Sequence, residues 1–531
     1  MKARPLSRRR VLQLAGGTAV VAAGVTACGE LTKETTGKIV TSAAPLPEPF
    51  GVPLPIPQVA RPVSQEGGVD RFEVEQRKAA VEILPGLQTT VWGYDGTFPG
   101  PTFIAQGGRT ALVTVRNSLP VPTSTHLHGG VTPPDSDGYP TDLVLPVGSD
   151  PDAPESNWTP DTAHGMHVAP EDWTLHAGEK TYEYPLRQRA ATLWYHDHRM
   201  DFSAPQVWRG LAGFFLVRDE EEQGLPLPQG ERDIPLMICD RAFEEDGSFR
   251  YPSLDPSLSG EPGVESDYHS GVLGDVQLVN GAPWPVLDVT TTRYRFRLLN
   301  ASNARRYQLT LEADGRRVGP IVQIGSDVGL LERPVSHDTI TMAPAERFDV
   351  VVDFSQFPVD TRVNLVNTLE DGAMRQVMQF RVARRAQDDS SVPDRLLAEP
   401  VRVARSQSVR ERTFDFRLTN EGGHEMWTVN GRPFSTGDSW ANPRLDTVEL
   451  WRFSSDFHHP VHLHLAHFQV ISRNGEAPEP TDAGWKDTVD VRPYEVVEVL
   501  ARFAGHKGRY MMHCHNLEHE DMAMMANFHV E

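Results

Sequence analysis

Close to its C-terminus the chain reads Met512-His513-Cys514-His515-Asn516-Leu517-Glu518-His519-Glu520-Asp521-Met522-Ala523-Met524. This stretch guides the interpretation of the whole sequence, because three histidines, one cysteine and a late methionine fall within it. Successive side chains on a β-strand point to opposite faces, so we expect His513 and His515 to face one way and Cys514 the other. Such a strand can contact two metal sites that only its backbone separates.

The cysteine side of this stretch has the ligand types of a blue-copper electron-transfer centre. Such a centre takes two imidazoles, one thiolate and a weakly bound thioether. Cys514, His519 and Met524 supply three of these donors, and a second imidazole must come from elsewhere. The alternative is a buried cysteine among incidental histidines, which leaves the fixed offsets of the ligand-type residues unexplained.

Length and composition indicate the class of protein. The 531 residues are too many for one core and suggest about three domains. With 43 glycines, 43 prolines and no long amphipathic repeat, the chain favours many short strands joined by turns. The net charge of −21 argues against binding to nucleic acid or to an anionic membrane surface.

Residues 1–28 have the features of an export signal. The stretch Ser7-Arg8-Arg9-Arg10-Val11-Leu12 resembles a twin-arginine signal, and residues 11–27 form an apolar run that is short for a membrane span. The stretch Val25-Thr26-Ala27-Cys28-Gly29 also resembles a lipoprotein cleavage box, which would leave Cys28 lipidated. We therefore predict export by the twin-arginine machinery to the periplasm, the cell surface or the medium, with lipid anchoring and simple secretion both open. The alternative is a merely basic N-terminal arm.

The cysteines and the segment after the signal complete this picture. The chain has three cysteines, at positions 28, 239 and 514, so no disulfide framework is available to the mature chain. We interpret Cys239 as an inert buried residue. Residues 29–67, rich in Pro, Thr and Ala, are predicted to form a flexible tether.

Short β-rich runs broken by Gly, Pro, Asn and Asp continue from about residue 68 to the end of the chain. An internal repeat, Leu278–Pro283 against Trp427–Pro433, agrees with tandem β-sandwich units. The middle unit has no His-x-His pair and is predicted to be a spacer without metal. The predicted domains are residues 68–220, 234–384 and 413–531.

Four His-x-His pairs lie near the two ends of this three-unit chain. They are His126/His128, His196/His198, His462/His464 and His513/His515. Residues i and i+2 share one face of a strand, so each pair can present two imidazoles to one place. Eight neutral nitrogen donors suit a cluster of several copper ions, placed between the first and third domains. His459 is left to join Cys514 at the single-copper site.

These motifs resemble those of the multicopper oxidases, the family of laccases, bilirubin oxidases and ascorbate oxidase. Three stretches most resemble bacterial spore-coat laccase, phenoxazinone synthase and bilirubin oxidase: residues 194–198, 343–349 and 513–521. The resemblance covers roughly residues 70–531 and implies three tandem cupredoxin-like Greek-key β-sandwich domains, an all-β fold.

The resemblance also implies four copper ions and a role for each ligand. Type 1 copper is expected at His459, Cys514, His519 and Met524. Type 2 copper is expected at His126 and His462. The type 3 pair is expected at His128, His196, His198, His464, His513 and His515. All twelve positions hold the expected residue type, and methionine at position 524 implies a moderate potential.

Two carboxylates match family positions that supply protons for oxygen reduction, Asp137 and Glu520. Reducing dioxygen to water consumes protons inside a site that excludes solvent, so a positioned carboxyl relay is required. The alternatives are a turn aspartate and a loop salt bridge. Cys514 is expected to carry electrons from substrate oxidation towards oxygen reduction.

We therefore predict an exported, monomeric oxidase that couples one-electron oxidation of phenols, aromatic amines or bilirubin-type pigments to reduction of dioxygen to water. A metallo-oxidase of Cu(I), Fe(II) or Mn(II) is the alternative in chemistry, although long methionine-rich inserts are not seen in the sequence. A non-enzymatic cupredoxin-fold scaffold for cell division is the alternative of another class, and retention of all twelve ligand types argues against it.

Several further residues are interpreted as structural. His458 is predicted to be non-ligating, His467 to pack or bond locally, and the methionines near the copper ligands to pack around them: Met511, Met512, Met522 and Met525. The polar stretch Thr141–Lys180, with His164, His167 and His176, is by default a surface loop. We hypothesise that it shapes the substrate entrance or binds an extra metal.

Overall fold

The fold is all-β, with three tandem cupredoxin-like β-sandwich domains, as the sequence predicted. A computed structural model describes residues 35–155, 157–160, 162–163, 166–421 and 424–531. Residues 36–531 form one compact unit. Within the described ranges, none of the helices has both the length and the apolar composition needed to cross a bilayer. The apolar run of the predicted signal lies outside the described residues.

Two sheets form the first sandwich. A five-stranded sheet contains Ser64–Glu66, Val69–Val81, Thr89–Tyr94, Thr110–Asn117 and Glu179–Tyr184. A four-stranded sheet contains Gly100–Gln106, Thr125–His128, Ala191–Asp197 and Ala212–Arg218. The alternating burial of Glu179–Tyr184 is that of a strand with one face on the core. The short helices Ser203–Trp208 and Glu220–Gln223 flank the last strand of this domain.

The second sandwich is the largest. Its seven-stranded sheet contains Asp233–Arg241, Val276–Val279, Ala282–Pro283, Arg293–Asn300, Ile321–Ser326, Gly329–His337 and Arg347–Asp353. Its six-stranded sheet contains Val286–Thr290, Tyr307–Ala313, Arg316–Val318, Ile340–Met342, Arg362–Asn367 and Gln376–Arg384. One cluster of buried aliphatic and aromatic side chains fills the space between these sheets.

The third sandwich carries the stretch Met512–Met524, with its histidines and cysteine. Its five-stranded sheet contains Ser408–Glu421, His424–Val429, Thr447–Ser455, His467–Arg473 and Val496–Phe503. Its four-stranded sheet contains His459–Leu463, Thr488–Val491, Gly508–Cys514 and Met525–Val530. The first strand begins at Ser408, five residues before the predicted domain start. The helix Leu517–Asp521 follows the cysteine and carries His519.

The repeated Val-Asn-Gly motif forms the same turn in the second and third domains. Asn280 and Asn430 both have positive φ, at 50° and 51°, a conformation that Asn tolerates better than most residues. The side-chain oxygen of Asn280 accepts a hydrogen bond from the backbone of Met237, and that of Asn430 accepts one from Asp415. In each domain the turn is therefore tied to the first strand, which gives the sequence repeat a structural cause.

The prediction of a flexible tether is wrong for residues 36–66. Lys38–Ile39 pairs in parallel with Val272–Leu273, and the backbone N–H groups of Phe50 and Leu54 donate to the carbonyls of Trp284 and Val286. This segment is rich in proline, which favours extended backbone that can lie along existing strands. Residues 29–34 of the predicted tether lie outside the described residues.

The stretch Thr141–Lys180 is packed against the body of the protein rather than projecting as a loop. Its strand Thr174–His176 pairs in parallel with Asp142–Val144. Met166 is buried in an apolar cluster with residues of the third domain, including Phe434 and Met511. Backbone hydrogen bonds cannot be predicted from the polar composition of such a stretch, which explains why the sequence favoured a loop.

Candidate metal centres

Two pairs of neighbouring strands position most of the histidines. Thr125–His128 lies antiparallel to Ala191–Asp197, with His126 opposite His196. His459–Leu463 lies antiparallel to Gly508–Cys514, with His462 opposite His513. Three of the four His-x-His pairs begin in a strand and end just beyond it. Because the first pair of strands belongs to the first domain and the second to the third, the histidines meet between these domains.

All eight paired histidines converge on one buried place. Possible donor atoms lie within 4.8 Å of one another in three sets of three: His126/His128/His462, His128/His196/His515 and His198/His464/His513. The Nε2 atoms of His126 and His462 are 3.4 Å apart. Nε2 of His513 lies 3.3 Å from that of His198 and 3.2 Å from that of His464. When each of these rings carries its proton on Nδ1, the facing Nε2 atoms are all acceptors and cannot hydrogen-bond to one another. Their lone pairs are therefore arranged to bind cations.

The other ring nitrogens of most of these histidines are held by the protein. Nδ1 of His126 donates to the carbonyl of Asp137 at 2.5 Å, and Nδ1 of His462 donates to the carbonyl of Asp487 at 2.9 Å. Nδ1 of His196 donates to the carbonyl of Asp197 at 2.9 Å. Such bonds fix the tautomer and orientation of a metal-ligating imidazole. His128 Nδ1, His196 Nε2 and both ring nitrogens of His515 are buried without a hydrogen-bond partner.

Burial keeps this cluster in the ligating form. Burial lowers the pKa of His196 to about 3. Burial together with the neighbouring imidazoles lowers the pKa of four further histidines well below the ordinary value: His126, His128, His462 and His515. Neutral imidazole is the form that binds metal ions. The cluster is therefore ready to bind cations at neutral pH.

A second donor set lies on the other side of the Cys514 strand. His459 Nδ1 is 3.4 Å from the Cys514 sulfur, His519 Nδ1 is 3.6 Å from it, and the two nitrogens are 3.1 Å apart. Met524 is buried, and its carbonyl accepts a hydrogen bond from the backbone of Cys514 at 3.1 Å. Burial raises the pKa of the Cys514 thiol well above its usual value, so a bound cation is needed to hold the thiolate.

The outer nitrogens of these two imidazoles have different surroundings. His459 Nε2 lies 3.4 Å from a carboxylate oxygen of Asp456, a partly exposed residue. His519 Nε2 donates to the carbonyl of Ser270 at 3.1 Å. The indole of Trp427 stacks on the His519 ring with 3.8 Å between centroids. Both imidazoles are fully buried, so neither ring is in contact with solvent.

The two predicted carboxylates lie at the histidine cluster, on different sides. An Asp137 oxygen lies 2.6 Å from His464 Nδ1, and burial raises the pKa of Asp137 to about 7. Glu520 oxygens lie 3.0 Å from His513 Nδ1 and 3.5 Å from His198 Nδ1. Burial raises the pKa of Glu520, but its interactions with His198 and His513 outweigh burial and hold the pKa well below its usual value.

Known proteins identify the family. Two family models, both described as multicopper oxidase, match residues 75–161 and 157–222 and residues 403–531. A laccase of Bacillus stratosphericus is 38% identical, over 90% of this chain and 98% of its own length. A bilirubin oxidase of Albifimbria verrucaria is 34% identical, over 92% of this chain and 83% of its own length. The chain belongs to the multicopper oxidases.

Solved structures of multicopper oxidases share this fold. The crystal structure of a laccase from Pediococcus acidilactici superposes with a TM-score of 0.77 at 31% identity, and covers 93% of this chain and 96% of its own. The family predicted from the four histidine motifs is thus confirmed, as is the prediction of an oxidoreductase.

This multicopper oxidase also has a buried ion network that the sequence did not reveal. Asp487 accepts two hydrogen bonds from Arg347, at 2.8 Å and 2.5 Å, and lies 3.0 Å from His128 Nε2. Both charged residues are almost fully buried. Asp487 therefore connects a histidine of the cluster to the second domain. The sequence signal is limited to the charged pair Lys486-Asp487 before the strand Thr488–Val491, and no ligand spacing marks it.

The residues interpreted as structural include His458, His467, Cys239 and the methionines near Cys514. His458 lies 3.7 Å from Asp490 and is in none of the donor sets found among the described residues. His467 does not bond locally, because it donates to the carbonyl of Gly129 in the first domain at 3.1 Å. The methionines predicted to pack are all buried: Met511, Met512, Met522 and Met525. Cys239 is buried and free, as expected.

The histidines of the Thr141–Lys180 stretch do not form a metal site within the described residues. His176 lies 2.7 Å from a carboxylate oxygen of Asp142, and neither His167 nor His176 belongs to a group of converging donors. His164 lies outside the described residues. The hypothesis of an extra metal therefore has no support in this region, and a role in shaping the substrate entrance stays a prediction.

Proposed function

We propose that this multicopper oxidase is an exported, monomeric, laccase-like enzyme. It oxidises phenols, aromatic amines or bilirubin-type pigments one electron at a time at a type 1 copper, and reduces dioxygen to water at a cluster of three further coppers. The observation that carries this proposal is the strand ending at Cys514, which contributes its sulfur to one donor set and leads into His513 and His515 of the other. The laccase and bilirubin oxidase relatives support the substrate class.

The donor chemistry fits copper at both places. One thiolate, two imidazoles and a buried thioether residue suit type 1 copper: Cys514, His459, His519 and Met524. The Nε2 pair of His126 and His462 suits type 2 copper. Two sets of three histidines suit the type 3 pair: His128/His196/His515 and His198/His464/His513. When bound, copper supplies one-electron transfer and the reduction of dioxygen.

The chain provides a short covalent route between the two sets. Cys514 is bonded through the backbone to both His513 and His515, and His513 Nδ1 donates to the Cys514 carbonyl at 3.1 Å. All of these groups are fully or almost fully buried. The protein therefore excludes water from the path while holding both ends in fixed orientation.

Two carboxyl groups are placed to donate and relay protons at the histidine cluster. Asp137 holds a proton on its carboxyl group at mildly acid pH, because burial raises its pKa to about 7. Glu520 lies between His198 and His513 as a carboxylate and can accept and pass on protons. We propose that Asp137 donates protons on one side of the cluster and that Glu520 relays them on the other.

Copper content and oxygen uptake test this proposal. The copper-loaded enzyme should consume dioxygen with a phenol or with bilirubin. The variant His459→Ala should lose both the blue colour and this activity, whereas the matched variant His458→Ala should keep both. Oxidation of Cu(I), Fe(II) or Mn(II) without oxidation of the organic donors would favour the metallo-oxidase alternative. Oxidation of neither class would refute the proposal.

A further inference from the structure

A cavity with a volume of about 270 Å³ lies where the three domains meet. The first domain contributes Val131 to its wall, the second contributes Val328, and the third contributes Leu465 and Trp485. Leu397, in the segment that joins the second domain to the third, also lines it. Ligand pockets commonly measure about 300–1,000 Å³. A cavity just below that range suits a small molecule with a single ring.

Hydrogen bonds between the domains hold the wall of this cavity in place. The backbone N–H of Val328 donates to the carbonyl of Trp485 at 3.3 Å, and the indole N–H of Trp485 donates to the carbonyl of Val401 at 3.0 Å. The side chain of Arg189, in the first domain, donates to the carbonyl of Glu399 at 2.7 Å. Because a preformed site loses little conformational freedom on binding, this cavity can accept a ligand without reorganisation.

The charge of the wall is opposite to that of the whole protein. The chain has 72 acidic residues against 51 lysines and arginines, for a net charge of −21. Among the described residues that line the cavity, none is acidic, whereas five have a basic side chain: Arg187, Arg189, His467, Arg502 and His506. Such a wall favours an anionic ligand over a neutral or cationic one.

Two of the arginines are free to bind a carboxylate. Arg189 is already engaged, because it donates to Glu399 and lies 4.0 Å from a carboxylate oxygen of Glu221. The exposed side chains of Arg187 and Arg502 have no hydrogen-bond or ion-pair partner within the part of the chain that the structure describes. A guanidinium group presents parallel N–H donors that match the two oxygens of a carboxylate. The rim of the cavity can therefore hold one carboxylate group.

We propose that this cavity binds a small aromatic monocarboxylate. The carboxylate pairs with Arg187 and Arg502, and the ring packs against Trp485 and the apolar side chains of Val131 and Leu397. An aromatic ring gains edge-to-face or offset-stacked contacts with an indole and cation–π contacts with a guanidinium group. An aliphatic chain makes neither contact, so the wall selects an aromatic acid.

This site is separate from the place where electrons enter the protein. Among the described residues that line the cavity, none belongs to either donor set. The residues at the outer nitrogens of the type 1 imidazoles, Asp456 and Ser270, do not line it either. Its wall instead includes His467, which donates to the carbonyl of Gly129, the residue after His128. The ligand therefore lies beside the histidine cluster and does not act as the electron donor.

Isothermal titration calorimetry of the full-length, copper-loaded protein tests the proposal, with cinnamate as the probe. Cinnamate has one ring and one carboxylate but no phenolic hydroxyl, so it is not a donor for the proposed oxidation. Cinnamamide has nearly the same shape without the charge and is the matched control ligand. We expect one molecule of cinnamate to bind per protein. Cinnamamide should bind at least about tenfold more weakly, the factor that one hydrogen bond to a charged group contributes.

The double variant Arg187→Gln/Arg502→Gln removes the two free positive charges. It should bind cinnamate at least about tenfold more weakly than the native protein does, while its affinity for cinnamamide should be unchanged. The matched variant Arg316→Gln/Arg362→Gln removes two exposed charges that lie outside the cavity wall, and it should bind cinnamate as the native protein does. Near-ultraviolet circular dichroism equal to that of the native protein shows that both variants are folded.

Thermal unfolding gives a second readout that does not depend on activity. A ligand that binds only the folded protein raises the unfolding temperature as the ligand concentration rises. Cinnamate should raise it for the native protein and for Arg316→Gln/Arg362→Gln, and much less for Arg187→Gln/Arg502→Gln. Absence of cinnamate binding, equal affinities for cinnamate and cinnamamide, or equal cinnamate affinities of the native protein and Arg187→Gln/Arg502→Gln would each overturn the proposal.

Discussion

The substitution Asp487→Asn tests whether the buried ion network supports the copper cluster. It leaves the shape of the side chain nearly unchanged but removes the charge opposite Arg347, which is fully buried. Breaking a buried ion pair by neutralising one partner costs about 3–5 kcal/mol. Arg347 keeps a hydrogen bond to the Asp327 carbonyl at 3.0 Å, and the Asp327 carboxylate lies 3.8 Å away. We therefore expect the free energy of unfolding to fall by an amount near the lower end of this range, about 3 kcal/mol.

The same substitution should weaken copper binding. The Asp487 carboxylate lies 3.0 Å from His128 Nε2 and orients that ring. Loss of such a partner typically weakens metal binding by about 10–100-fold. Competition with a chelator, followed by measurement of bound copper, gives this value. The double variant Asp487→Asn/Arg347→Met should recover stability, because no charge is left unpaired, but it should not recover copper affinity.

The sign of the pH dependence of this stability loss follows from the pKa of Asp487. Burial raises the pKa of Asp487, but Arg347 outweighs it and holds the pKa below its ordinary value. A depressed carboxyl pKa contributes stability that is present above the unfolded value of about 4 and is lost as pH falls through the folded value. The stability difference measured by urea unfolding of the copper-free proteins should therefore be constant from about pH 5 to 8. Equal stability and equal copper affinity for Asp487→Asn and the native protein would refute this reasoning.

Three further outcomes are expected. Cys514→Ser should abolish the blue absorption and the oxidation of phenols, while the histidine cluster keeps its copper; a blue band that survives would contradict the type 1 assignment. Asp137→Asn should lower oxygen uptake at saturating phenol by about 100-fold or more. In the native protein the rate should decline as pH rises, because Asp137 deprotonates near pH 7, and the variant should lack this decline. A matched Asp135→Asn variant should show neither change. Asn280→Ala should lower the free energy of unfolding of the second domain, measured in urea, by about 2–4 kcal/mol. Positive φ is unfavourable for alanine, and the buried hydrogen bonds of the amide are lost. Asn280→Gly should lower the free energy of unfolding by less, and equal losses for the two variants would exclude a backbone contribution.

The convergence of these donor residues could be predicted from the sequence because metal binding constrains residue type and spacing together. A His-x-His pair on a strand carries its geometry with it, and four pairs leave few other interpretations. The all-β architecture followed from the same motifs and from the many short runs between turns. The repeat at Asn280 and Asn430 was visible for a similar reason, since a turn with positive φ restricts the residues that can occupy it.

Other parts of the site depend on contacts between distant segments. Asp487 acts through Arg347, which lies 140 residues away in the chain, and His467 bonds to Gly129, 338 residues away. Neither contact leaves a local pattern. The docked segment from Thr36 was predicted as a tether because its proline-rich composition is the same for a free linker and for a strand laid along a sheet. Composition reports which backbone conformations are favoured but not what they contact.

The long sequence separation of the cluster histidines has a consequence for synthesis of the protein. His126 to His198 are made first, and His462 to His515 follow after more than 250 further residues. Because domains fold in order as the chain is made, the first domain must wait with half of the cluster's imidazoles uncovered while more than 250 residues are added. An incomplete chain can hold copper only loosely at that half. Tight binding of copper by the cluster therefore marks a chain whose synthesis and docking are complete.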